Sequence, residues 1–186
     1  MIISYFISLW LMYSSKKMKS TAAALQTHWK HGFAEFLSSD FGDGLASFAD
    51  ADFARDLRSR RSVSSHFQLL NGVVVGWGCK KQPATSLHSC GAELHSINRA
   101  GFKCDMIQRF LTSIGLPLDS PSILFEDNQG TIKLLRTNRL TDTVRHHDVK
   151  LAWLNENFLR GTFIVAYLKT KLMIVDCITK PVNGAR

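Results

Sequence analysis

Two β-rich runs, Ser62–Leu70 and Val73–Trp77, are joined by nothing but Asn71-Gly72. That dipeptide tolerates the positive φ angles a two-residue reversal requires, so the runs are predicted to fold back on each other as an antiparallel hairpin. Just ahead of them Ala46–Phe53 alternates in strand fashion. Phe48, Asp50 and Asp52 fall on one face, and Ser47, Ala49 and Ala51 on the other. Three consecutive antiparallel strands are therefore expected where the orderly part of the chain begins, near Gly44.

A long helix should follow. Ile97, Ala100, Cys104, Ile107, Leu111 and Ile114 step by three and four and make one apolar stripe. Ser89 is the expected N-cap, and Gly115 followed by Pro117 the expected stop. Ser122–Glu126 reads as a short strand with Ile123, Phe125 and Asp127 on one side. A helix carrying Ile132, Leu134 and Leu135 starts in the Asp127–Gly130 stretch, and another covers Asp148–Leu159, ended by Gly161. Thr162–Leu168 is the last predicted strand and Met173–Thr179 a short closing helix stopped by Pro181. The order β-β-β-α-β-α-α-β-α implies an α/β fold, a mixed sheet covered by helices.

With 45% apolar residues and four prolines in 186 residues, the chain can bury the core of one domain. Its formal charge of +8 favours a polyanionic partner. The charge is localised. Arg55, Arg58, Arg60, Arg61, Lys80 and Lys81 stand against a single acid, Asp56, between positions 55 and 81. A second run holds Lys133, Arg136, Arg139, Arg145 and Lys150. Such strips suit phosphate binding. Cys79, Cys90, Cys104 and Cys177 have no zinc-finger spacing, so free thiols in a reducing, intracellular setting are expected rather than a structural zinc. The apolar run Ile2–Tyr13 is far short of a bilayer span, and no membrane partner is expected. Without a preceding basic residue it is also a poor targeting segment. A possible helix covers about Thr21 to Leu37.

Four carboxylates sit where chemistry could be done: Asp50, Glu93, Asp127 and Asp176. Together they would make a divalent-metal site of the kind used to cut phosphodiesters. Each has a structural alternative. Asp127 could cap the helix that follows it, and Glu93 could be a solvated first-turn residue favoured by the helix dipole. Asp176 could pair with Lys180 one turn on, and Asp52 competes with Asp50 on the same strand face. The helix stripe, extended backward, nonetheless directs Glu93 toward the sheet.

From about Ser47 to Pro181 the chain resembles the ribonuclease H domain that ends the Pol polyprotein of copia-type LTR retrotransposons. The similarity is carried by FADADFARD (48–56), GWGCKKQ (76–82), HSCGAELHSI (88–97), EDNQ (126–129), the Arg145-His146-His147-Asp148 segment and VDCITKP (175–181), in that order. It implies a ribonuclease H-like mixed sheet in residues 44–186, with residues 1–43 a weakly structured leader or a remnant of an upstream connection. It further implies that Asp50, Glu93, Asp127 and Asp176 bind two Mg2+ ions, with Mn2+ as a substitute. The implied reaction is cleavage of the RNA strand of RNA–DNA hybrids during reverse transcription. Arg58, Arg60, Arg61, Lys80, Lys81, Asn128, Gln129 and His146 would contact nucleic acid, and reverse transcriptase or other Pol segments would be further partners. The alternative is a catalytically silent nucleic-acid-binding remnant. Gly91 replaces a family glutamate, and Leu168–Val175 lacks the histidine that cellular ribonucleases H place before the last acid.

Overall fold

The predicted reversal forms with Asn71 at φ 49° and Gly72 at φ 75°, the left-handed pair that matches the twist of a hairpin. It joins β2 (Val63–Leu70) to β3 (Val73–Lys81) in antiparallel register. Asn71 also closes the start of β1 (Leu45–Asp52): its Oδ1 accepts the Gly44 amide at 2.7 Å, and its own amide donates to Gly44 O at 3.0 Å. The computed structural model describes residues 44–137 and 148–176. The segment 1–43, with Ile2–Tyr13 and the expected Thr21–Leu37 helix, lies outside these residues, as do His146 and His147.

β3 runs on to Lys81, well beyond the expected end at Trp77. Gly76 and Gly78 hide the strand from a propensity reading, since glycine weakens strands. Both are there because bulky polar side chains cross them. A Cβ on Gly76 would stand 2.7 Å from Gln68 Oε1, and one on Gly78 would stand 2.6 Å from His66 Nε2. Those side chains form a buried chain, with His66 Nδ1 at 3.1 Å from Gln68 Oε1 and Gln68 Nε2 donating to Ser47 Oγ at 2.9 Å.

The sheet order is β3-β2-β1-β4-β5, with β4 at Ser122–Glu126 and β5 at Phe163–Tyr167. β1 and β4 are parallel, as are β4 and β5. Helices α1 (Ser89–Ser113), α2 (Gln129–Thr137) and α3 (Asp148–Leu159) complete the described elements, with a 3-10 turn at Thr170–Leu172. On the helical side of the sheet Leu45, Ala49, Leu94, Ile97, Leu124, Leu154 and Phe163 form one core. On the other side Phe48, Phe67, Phe125, Met173, Ile174 and Val175 form a second.

α1 begins at Ser89, but its N-cap is His88, which makes no side-chain cap bond, rather than Ser89. Gly101 serves close approach: a Cβ there would press on Leu154 and Leu124 at 3.3 and 3.4 Å. Gly115 ends the helix at φ 78°, as expected. The closing helix does not start at Met173. Met173–Val175 are instead a buried turn, because their apolar side chains complete the second core, and helical geometry begins only at Asp176. Its remainder lies outside the described residues. Among the described residues, no helix is long and apolar enough to cross a membrane.

Candidate metal centre

Strand register alone brings two acids together. Phe48 is paired with Phe125 across the parallel β1–β4 ladder, and their rings stack with centroids 4.9 Å apart. Two residues further along each strand, on the same face, stand Asp50 and Asp127. Glu93 comes from above. α1 is fastened over the end of β1 by Ser96, whose hydroxyl lies 2.6 Å from Asp50 O and 3.0 Å from Ser65 O. Glu93, one turn earlier on the same helix face, is thereby directed into the site. One ligand oxygen from each of Asp50, Glu93 and Asp127 lies within 4.8 Å of the other two.

Local geometry bears on the alternatives for Glu93, Asp127 and Asp52, while Lys180, the alternative partner of Asp176, lies outside the described residues. Glu93 is in the second turn of α1 and only 7% exposed, so it is not a solvated first-turn residue. Asp127 is not the cap of α2: Asn128 Oδ1 accepts the Thr131 amide at 3.1 Å and takes that role. Asp127 Oδ2 instead accepts a hydrogen bond from the Thr170 hydroxyl at 2.7 Å. Asp52 is ion-paired with Arg55 and stays out of the cluster. Asp176 is half-buried after the Met173–Val175 turn and falls outside the three-acid group.

A neighbour to the site that carried no expected role is Glu126. It is completely buried on the helical side of β4. Its Oε1 accepts the Asn128 amide at 3.1 Å, while its Oε2 finds no hydrogen-bond partner among the described residues. Burial pushes the Glu126 carboxyl well above the usual carboxylate range, and Asp127 and Asp50 push it further, against the Asn128 amide. Glu93 is raised in the same way, first by burial and then by Glu126, Asp50 and Asp127, with the Ala51 amide opposing. Crowded, dehydrated carboxyls resist ionising together, so Glu93 and Glu126 hold protons unless cations neutralise the site.

Two further residues, neither expected as part of the site, hold its frame. Gln82 is buried, donates from Nε2 to Ser64 Oγ at 2.8 Å and to Ala92 O at 2.9 Å, and accepts from Ser86 Oγ at 3.1 Å. It ties the head of α1 to β2 next to Glu93. Ser96 does the same for Asp50. Gln82 lies in one of the motifs above, and Ser96 lies on the buried face of α1, which were the available signals. Thr170 offered none.

The basic residues gather at the same end of the sheet as the acids, since Asp52, Val63 and Lys81 are successive partners across β1, β2 and β3. Arg58, Arg60, Arg61 and Lys80 are exposed there. Lys81 is paired with Asp56, whose carboxyl that pairing and the Ser59 amide hold well below its usual range. Gln129 is exposed at the start of α2 and Asn128 is half-buried beneath it. An electropositive loop thus borders a cluster of acids.

Three clustered carboxylates, beside a buried glutamate oxygen that takes no hydrogen bond among the described residues, are a hard, anionic oxygen-donor set. That chemistry fits Mg2+ or Mn2+ rather than a soft metal.

No family model matches the chain. It is 25% identical over 153 residues to the retrovirus-related Pol polyprotein from transposon RE2 of Arabidopsis thaliana, covering 82% of this chain and 10% of the relative. It is 26% identical over 138 residues to the corresponding polyprotein from transposon TNT 1-94 of Nicotiana tabacum, covering 74% of this chain and 10% of the relative. The chain thus spans about a tenth of the length of these curated relatives. Among solved structures it is similar to LC11-RNase H1, isolated from compost by a metagenomic approach. The TM-score is 0.54 at 12% identity, over 69% of this chain and 86% of that one. A second structure of LC11-RNase H1, in complex with an RNA/DNA hybrid, matches with a TM-score of 0.53 at 8% identity, over 69% and 88% of the two chains. The homologues of this chain are copia-type retrotransposon Pol polyproteins, and its fold is the ribonuclease H-like mixed sheet.

Proposed function

We propose that this chain is a metal-dependent ribonuclease H of retrotransposon origin, cutting the RNA strand of RNA–DNA hybrids within the cell. The convergence of Asp50, Glu93 and Asp127 within 4.8 Å, on a ribonuclease H-like sheet, is the observation that carries the reading. Asp50, Glu93 and Asp127 would hold Mg2+ or Mn2+, with Asp176 completing the set for two ions. When bound, the ions supply Lewis-acid stabilisation of the phosphate and a more acidic water.

The chain's own contribution is placement. Asp50 lies within β1 and Asp127 directly follows β4, so the parallel ladder between these strands sets the approach of their oxygens. Glu93 closes the site from α1 and depends on Ser96 and Gln82 for its height above the sheet. Arg58, Arg60, Arg61 and Lys80 would hold phosphates of the substrate beside the acids, with Asn128, Gln129 and His146 as further contacts. Residues 44–186 form the catalytic module on this reading, and other Pol segments, the reverse transcriptase among them, are its natural partners.

Asp176 standing outside the three-acid group favours one second reading, a module that binds hybrid without cutting it. A labelled RNA–DNA hybrid incubated with the full chain separates the two. Cleavage that needs Mg2+ or Mn2+, stops with chelator and disappears in Asp127→Asn is expected. An intact hybrid across both metals with a folded protein would sink the enzymatic reading, and retained hybrid affinity would then identify the silent module.

A further inference from the structure

The three acids account for the anionic pole of the site but leave open what keeps Asp127 in place once strand β4 has ended. Its neighbour Asn128 is occupied in capping α2. β5 supplies the answer. It runs parallel to β4 with Glu126 opposite Tyr167, and the Leu168 amide continues the ladder onto Glu126 O at 3.0 Å. The two chains therefore leave the sheet side by side. Leu168 is buried, Lys169 is extended, and Thr170 opens the 3-10 turn with its hydroxyl 2.7 Å from Asp127 Oδ2.

We infer that Thr170 is a positioning residue for Asp127, orienting its carboxylate within the metal centre through the hydroxyl hydrogen bond; this rests on the metal-dependent reading above. A hydroxyl suits the task. It donates to the carboxylate and fixes rotation of the carboxyl group, yet brings no charge that would compete with a cation for the same oxygens, as a lysine or arginine would. Partners of metal-binding carboxylates set both the orientation and the affinity of the ligand. The same residue begins the segment that buries Met173, Ile174 and Val175 and then presents Asp176. The hydroxyl thus couples the end of β4 to the segment carrying the fourth acid.

The test uses the full chain and Mn2+ as the probe, with binding followed by calorimetry and unfolding followed separately in chelator. Thr170→Val keeps the shape and removes the donor; Thr170→Ser keeps the donor. Thr170→Val should weaken Mn2+ binding about tenfold while leaving the chelator melting temperature unchanged, and Thr170→Ser should restore affinity. A merely structural fastening would lower the melting temperature in Thr170→Val without moving Mn2+ affinity, and that result overturns the inference. So does wild-type affinity in a Thr170→Val protein that folds normally. A wild-type chain that takes up no Mn2+ at all would remove the metal-dependent reading and this inference with it.

Discussion

Replacing Glu93 with glutamine should stabilise the metal-free protein and change how its stability depends on pH. Glu93 is buried among Glu126, Asp50 and Asp127, and burial followed by those three charges raises its carboxyl far above an exposed glutamate's value. A carboxyl raised in this way keeps its proton in the folded state after the unfolded chain has released one. Folding then takes up a proton, so the stabilisation is full below the unfolded value near 4.5 and drains away as pH rises toward the folded value. The ceiling is about 1.4 kcal/mol per pH unit for each such carboxyl. Glu126 is raised as well, chiefly by its own burial, so it keeps its proton when Glu93 is replaced.

The window of measurement matters because other buried groups titrate nearby. His66 is lowered, chiefly by burial, so its effect runs the other way and is confined to pH below about 6.5. The Cys104 thiol is pushed up to about 12 by burial, and its effect begins as an unfolded thiol would ionise, near 9. Between about pH 7 and pH 8 the carboxyls dominate. In chelator, wild type should lose up to about 1.4 kcal/mol across that unit for each raised carboxyl, a fall in melting temperature of roughly 3–5 °C per carboxyl for a chain of this size. Mg2+ or Mn2+ should recover the loss, more at the higher pH, because binding displaces the protons. Glu93→Gln should remove Glu93's share of the slope while leaving that of Glu126, melt higher than wild type in chelator at the higher pH, and lose most of the gain from metal. Scanning fluorimetry or calorimetry reads all of this. A wild-type melting temperature that is flat or rising across the window, or a Glu93→Gln slope equal to wild type, would show that these carboxyls do not share protons as argued.

Gln82→Leu should lower stability by about 2 kcal/mol, read from the urea midpoint at unchanged slope, because Ala92 O loses the Gln82 donor and the buried Ser64 and Ser86 hydroxyls lose their partner. It should also weaken metal binding through the head of α1. Replacing Arg58, Arg60 and Lys80 together with alanine in an Asp127→Asn background should weaken hybrid binding and flatten its salt dependence. The slope should change by about 0.9 for each phosphate that is no longer neutralised. Lys81→Ala, already paired with Asp56, should have a smaller effect on that slope.

Much of the architecture is legible in local pattern. Asn71-Gly72 announces the hairpin, and the alternation in Ala46–Phe53 places Phe48 and Asp50 on one face. The stripe from Ile97 to Ile114 turns α1, and hence Glu93, toward the sheet. These are properties of neighbours a few residues apart, set by the two-residue period of a strand and the 3.6-residue period of a helix. The strand through Gly76 and Gly78 looks too short by the same logic because glycine disfavours strands. Its reason, the bulk of Gln68 and His66 on the adjacent strand, lies in another part of the chain.

The composition of the site was decided at longer range. Register between β1 and β4, a matter of hydrogen bonds across some 77 residues, set Phe48 opposite Phe125 and so Asp50 beside Asp127. Burial on the helical side of β4 set Glu126 as a further carboxyl next to Glu93, while Asp176, after the Met173–Val175 turn that joins the second core, falls outside the three-acid group. The hydroxyl of Thr170 reaches Asp127 only because two parallel strands end together. Periodicity tells a side chain which face it occupies. Which partners meet it there depends on ladder register and on the order in which strands enter the sheet, and both are settled only when the whole core packs.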